Sequence, residues 1–179
     1  MIWLLAAAAA GVVTDSVFMY CFHTRHPFTV IFSVCCFMAI VTAYPQNTLH
    51  CVKGCLLAQL LIIVGYIDEQ IQIIPDLLCI LVALSGLISF SPLSSLSGAA
   101  VLFILLMGCR LAFGGIGGGD IKLFTACGWT LGLQGGLVSM FICYFIFCLA
   151  ALIFHRKLSG RYPLAPYIAV GSIISYLLI

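Results

Sequence analysis

LLCILVALSGLISFSPLSSLSGAAVLFILLMGC, residues 77–109, runs for 33 residues without an Asp, Glu, Lys or Arg. A helix crosses the hydrocarbon core of a bilayer in about 20 apolar residues, so this stretch holds more than one crossing. Pro27–Val52 and Leu123–Phe154 are also free of those four residues. Of the 179 residues, 64% are hydrophobic and 7% charged, against about 45–50% and about 25% in soluble domains. Seven basic and five acidic residues cannot cover a water-soluble surface. The composition predicts an all-α fold, a polytopic membrane helix bundle. Polar loops of about ten residues at most leave no room for a separate soluble domain, so residues 1–179 read as a single integral-membrane domain.

Proline breaks a helix interior, and Pro27, Pro45, Pro75, Pro92, Pro163 and Pro166 all stand at edges of apolar runs. With the glycines and polar clusters they divide the chain into segments 2–22, 27–44, 54–68, 77–90, 95–112, 121–132, 136–154 and 164–179. Segments 54–68, 77–90 and 121–132 are short for a full crossing, so the expectation is six to eight transmembrane segments. The Met1–Gly11 run lacks the basic residues that should precede a cleaved leader and reads as the start of the first segment. Nucleic acid is not an expected partner, because a net charge of +2 from scattered Lys and Arg forms no basic face. Ten cysteines without a Cys-x-x-Cys pair, most of them inside apolar runs, read as small hydrophobes, Cys51 and Cys55 included. His23, His26, His50 and His155 lie at loop edges and suggest no metal site.

Loops rich in Lys and Arg stay cytoplasmic. With the N-terminus outside, Arg25, Arg110, Lys122, Arg156, Lys157 and Arg161 fall inside and Lys53 alone outside. That orientation also gathers Asp68, Glu69, Asp76 and Asp120, four of the five acids, at the cytoplasmic face, although acids played no part in choosing it. Ionisable groups at membrane depth cost roughly 2.5–3.5 kcal/mol each on insertion scales and mark function; Asp15, Asp68 and Asp120 qualify. Asp120 follows Gly114-Gly115-Ile116-Gly117-Gly118-Gly119, which lacks nearly every Cβ and admits close approach by another chain. The run alone also fits a flexible hairpin, and neither its spacing nor its context matches a phosphate-cradling loop. Two carboxylates on separate segments, meeting at the membrane edge, could share one proton and activate water. A small multi-span transporter or assembly scaffold, with Asp15, Asp68 and Asp120 as an ion relay, is the rival from another class; it leaves the glycines unexplained.

These residues resemble the type IV prepilin leader peptidases, membrane aspartic proteases with a Gly-x-Gly-Asp signature. Gly117-Gly118-Gly119-Asp120 matches that signature, and Asp120-Ile121-Lys122-Leu123 resembles the family's Asp-x-Lys-Leu. Ile67-Asp68 with Ile74-Pro75-Asp76 resembles its first catalytic segment, and Tyr162-Pro163-Leu164-Ala165-Pro166-Tyr167 its stretch before the last helix. Presenilin-like intramembrane proteases share the Gly-x-Gly-Asp core and are separated by the depth of the acid pair. The resemblance implies an aspartic endopeptidase of the bacterial inner membrane, acting on prepilins or pseudopilins, with Asp68 and Asp120 as catalytic pair and neither metal nor organic cofactor. Gly117 and Gly119 are then the signature glycines. Asp76 is expected to N-cap a helix after Pro75, Lys122 to bias Asp120 or to anchor a helix end, and Glu69 with Asp76 to attract a basic leader. Relatives that also N-methylate carry an insertion with two Cys-x-x-Cys pairs; without those pairs this chain reads as a peptidase-only form, with room left for a homo-oligomer.

Overall fold

A computed structural model describes residues 6, 9, 11–16, 27–153 and 162–179, and every regular element among them is helical. After helical residues at 6, 9 and 11–16 come α1 (Pro27–Ala43), α2 (Thr48–Ile71), α3 (Asp76–Ser85), α4 (Pro92–Phe113), α5 (Gly118–Ile153) and α6 (Ala165–Leu178). Thr48–Ile71, Pro92–Phe113 and Gly118–Ile153 are long and apolar enough to cross a membrane. Arg25, His23, His26, His155, Arg156, Lys157 and Arg161 lie outside the described residues.

Two segments differ in length from the sequence reading. The expected 54–68 helix is α2, 24 residues long and about 36 Å at 1.5 Å per residue. It begins early because the Asn47 side chain accepts the His50 N–H at 3.3 Å, a cap that satisfies a donor in the first turn. Lys53 is thereby carried into the helix and buried. At the other end Gln72 adopts left-handed backbone at φ 53° and donates its N–H to the Asp68 carbonyl at 2.9 Å, closing the helix as a C-cap does. Conversely, the 77–90 span yields only the ten residues of α3, about 15 Å, because Gly86–Ser89 form turns and Ser89 has φ 57°.

The expectation of two segments at 121–132 and 136–154 survives in α5, although its 36 residues are continuously helical by hydrogen bonding. Gly132 sits at φ 76°, ψ −176°, backbone open to glycine alone. There the chain doubles back, since the Phe124 and Tyr144 rings stack with centroids 6.0 Å apart, whereas twenty residues of straight helix would separate them by about 30 Å. Limbs 118–131 and 133–153 press glycine on glycine: a Cβ on Gly136 would lie 3.1 Å from the Gly128 Cα. α4 joins them through Gly98, whose Cβ would meet the Gly128 carbonyl oxygen at 2.4 Å. Small residues at close crossings and cross-helix hydroxyl bonds are how helices associate without a hydrophobic drive. Accordingly Thr130 donates to the Val82 carbonyl at 2.9 Å, Ser175 to the Gly135 carbonyl at 2.7 Å, and Ser139 and Ser172 share a 2.7 Å bond.

The core of Leu61, Val64, Leu106, Leu123, Phe124, Cys127 and Ile168 is fully buried. Leu93, Leu111, Phe113, Phe141 and Leu152 stay more than 70% exposed, the apolar exterior suited to lipid. Six of the described cysteines are buried and all nine are free thiols. Connections 72–75 and 114–117 and residues 162–164 meet at one end of the bundle. At the other end Tyr44 donates to the Tyr176 carbonyl at 2.6 Å, and Tyr176 to that of His50 at 2.8 Å.

Candidate active site

A cavity of about 1080 Å³ opens at the first of those ends. Its charged lining consists of Asp68, Asp76, Arg110, Asp120 and Lys122, and Tyr144, Phe147 and Tyr162 supply aromatic wall. The segments that the sequence places on the cytoplasmic side thus converge: the chain after Asp68, the glycine run before Asp120, and the approach to α6.

Asp68 stands one turn before the end of α2 and is 5% exposed. Its Oδ2 accepts the Ala165 N–H at 3.0 Å. That is an orphan donor at the start of α6, and an acid there complements the helix dipole. α6 comes this near because Gly65 has no side chain: a Cβ would sit 3.2 Å from the Pro166 Cα. Asp120, the third residue of α5, reaches back along its own helix toward the backbone of Gly117, the position taken by the N3 acid of a capping box. Asp68 is thus aimed by a donor at a helix N-terminus, and Asp120 stands at the N-terminus of its own helix. The two lie within coulombic reach of each other.

The signature glycines have distinct surroundings. A Cβ on Gly117 would lie 2.6 Å from Asp120 Oδ2, so the first glycine keeps space for the carboxylate. On Gly119 a Cβ would lie 3.1 Å from the Ile74 Cβ, so the second lets the helix bearing Asp120 touch the connection that leaves Asp68. Gly118 faces Arg110 instead, with Nη1 2.9 Å from its Cβ position.

The expected capping role of Asp76 comes out differently, and the packing gives Lys122 and Glu69 their places. Asp76 does not cap α3: Pro75 holds the N-cap position, and no side chain bonds there. Its carboxylate takes both contacts of Lys122 Nζ, at 2.7 and 2.9 Å, so Lys122 meets Asp76 rather than acting as a free interfacial anchor. Glu69, exposed, lies on a separate groove lined by Ile31, Phe32, Tyr66 and Pro166, because the residue after Asp68 points about 100° around the helix. Asp15 is not among the cavity-lining residues; beside it Thr14 accepts from Gln59 at 3.3 Å, so the three acids of an ion relay do not share one cavity. Among the described residues no group of three His, Cys, Asp or Glu could hold a metal ion.

The sequence reading did not single out Gln72, Tyr144 or Phe147; it named Tyr162 only within the stretch before the last helix and Arg110 only among the cations of the cytoplasmic side. Arg110 carried a usable signal, being a cation one helical turn before the glycine run. Tyr144 and Phe147 carried none, since aromatics inside apolar segments are the rule.

Residues 55–178 match the type IV leader peptidase family. The chain is 40% identical over 129 residues to the prepilin leader peptidase/N-methyltransferase of Bacillus subtilis (strain 168), an alignment covering 66% of this chain and 52% of that protein. The chain thus spans about half the length of the curated relative it matches. No solved structure matches.

Proposed function

The chain belongs to the type IV leader peptidase family, and on that premise we propose that it is a membrane aspartic endopeptidase that removes the basic leader from prepilins or pseudopilins. The observation carrying this reading is that Asp68 and Asp120, 52 residues apart in sequence, line one cavity, with Asp68 held by the Ala165 N–H and Asp120 set against the signature glycine Gly117.

In the proposed reaction the pair holds one proton. The ionised carboxylate takes a proton from water as its oxygen attacks the scissile carbonyl, and the protonated one donates to the carbonyl oxygen. Collapse of the tetrahedral intermediate breaks the C–N bond and sends a proton to the leaving nitrogen. Which aspartate is base and which acid belongs to the pair as a unit. The cytoplasmic edge of the inner membrane is the proposed location, supported by the six-to-one division of Lys and Arg. There a basic leader lies in water and the apolar segment behind it in lipid.

The test is Asp68→Asn and Asp120→Asn, each measured in membranes containing equal amounts of protein. Each change is expected to abolish cleavage of a prepilin, since an amide can neither take nor give that proton. The double variant is expected to be no worse than either single one, as for groups that act together. Near wild-type cleavage by either single variant would remove that aspartate from the pair.

A further inference from the structure

Asp76 is the first residue of α3, reached from Asp68 through connection 72–75, and Lys122 lies two residues beyond Asp120. Their ion pair, at 2.7 and 2.9 Å, therefore joins the chain leaving one aspartate to the helix starting at the other. Close by, Ile74 rests against Gly119. The two contacts, one ionic and one apolar, tie the 72–75 connection to the start of α5. Gln72, at the root of that connection, is held at φ 53°, so the connection leaves α2 in a fixed direction.

The side chains are 57% and 66% exposed for Lys122 and Asp76, and pairs so exposed contribute little to stability. A contribution that small gives the pair no strong structural reason to exist. Its placement supplies another, because misplacing catalytic groups by about 1 Å costs on the order of 10²-fold in rate. A tie across the two segments controls that distance directly.

We infer that Asp76 and Lys122 are positioning residues, an exposed ionic tie that sets the separation of Asp68 and Asp120. The inference rests on the Asp68/Asp120 reading above. It differs from a role for Asp76 in attracting a basic leader, since an acid already paired by Lys122 presents little net charge to substrate.

The experiment is a charge exchange in the full chain, with cleavage of a prepilin measured as kcat and KM separately. Asp76→Lys and Lys122→Asp each place like charges in contact and are expected to lower kcat about tenfold with KM little changed. The exchanged double variant Asp76→Lys/Lys122→Asp is expected to recover to within about threefold of wild type. Asp76→Asn and Lys122→Gln remove attraction without creating repulsion; each is expected to lower kcat about threefold, and they carry the test if a reversed variant fails to accumulate. Recovery of kcat on exchange is the result that a merely structural or leader-binding role would not give. A rise in KM without recovery, or wild-type kcat in the neutral variants, overturns the inference. Asp68→Asn in the same assay separates the two levels: if it still cleaves, the catalytic reading has failed, whereas if it is inactive and exchange does not recover, only the tie has.

Discussion

Alanine substitution along Gly117-Gly118-Gly119 is expected to give three different results from three adjacent glycines. The Cβ of Gly117→Ala would stand 2.6 Å from Asp120 Oδ2, where ordinary contact begins near 3.4 Å. The carboxylate must therefore retreat by the difference, about 0.8 Å, from its place against Gly117. A displacement near 1 Å in a catalytic group costs on the order of 10²-fold, about 2.7 kcal/mol of transition-state stabilisation. Gly117 has no positive φ, so the backbone accepts alanine and the loss should appear in kcat rather than in folding. For Gly118→Ala the obstacle is the Arg110 guanidinium tip at 2.9 Å, the far end of a flexible side chain. It can swing aside while the helix gains roughly 0.5–1 kcal/mol from replacing glycine, and activity should stay within about threefold of wild type. Gly119→Ala meets the Ile74 Cβ at 3.1 Å, so the connection must yield by a few tenths of an ångström, and a loss of about tenfold is expected. The assay is single-turnover cleavage of a prepilin by purified protein in detergent, with thermal unfolding measured in parallel. Equal activity of the Gly117→Ala and Gly118→Ala variants would show that the Asp120 carboxylate does not sit against Gly117, and the reasoning would fail.

Gly98→Ala is expected to loosen the junction of α4 and α5, since its Cβ would meet the Gly128 carbonyl oxygen at 2.4 Å and the Gly132 carbonyl carbon at 2.6 Å, backbone atoms that cannot swing away. Overpacking of this kind costs about 1–3 kcal/mol, a drop in Tm of about 3–10 °C, whereas Gly108→Ala, with nothing within 4 Å of its Cβ, should leave Tm unchanged or raised. For sidedness, a reporter active only in the periplasm should be active when fused at Asn47 and silent at Gly115, and the reverse pattern would place the cavity on the other face.

By itself the sequence determined whatever depends on composition summed over a stretch of chain. The all-α membrane character follows from Leu77–Cys109 and its two companion runs, because crossing length and the absence of charge are local properties. Acids were legible for the converse reason: Asp68 and Asp120 stand out where nearly everything around them is apolar, and Gly117 and Gly119 beside Asp120 mark a close approach. Even the hairpin inside α5 was foreshadowed by Gly132, which interrupts an apolar run. What the tertiary structure decided is everything that turns on helix rotation and on pairing across distant segments. A helix surrounded by lipid and by other apolar helices has no polar face to betray its orientation. Nothing in sequence therefore indicated that Glu69 would face a groove of its own, or that Arg110 would lie over Gly118. Asp76 and Lys122 are 46 residues apart, and each alone reads as a capping or interfacial charge; they meet where the Ile74 connection packs against Gly119. The donor that aims Asp68 comes from the start of α6, 97 residues away, and depends on the missing side chain of Gly65 for its approach. Composition fixes what a segment can do in a bilayer, whereas the meeting of two segments is fixed by side chains that are absent as much as by those present.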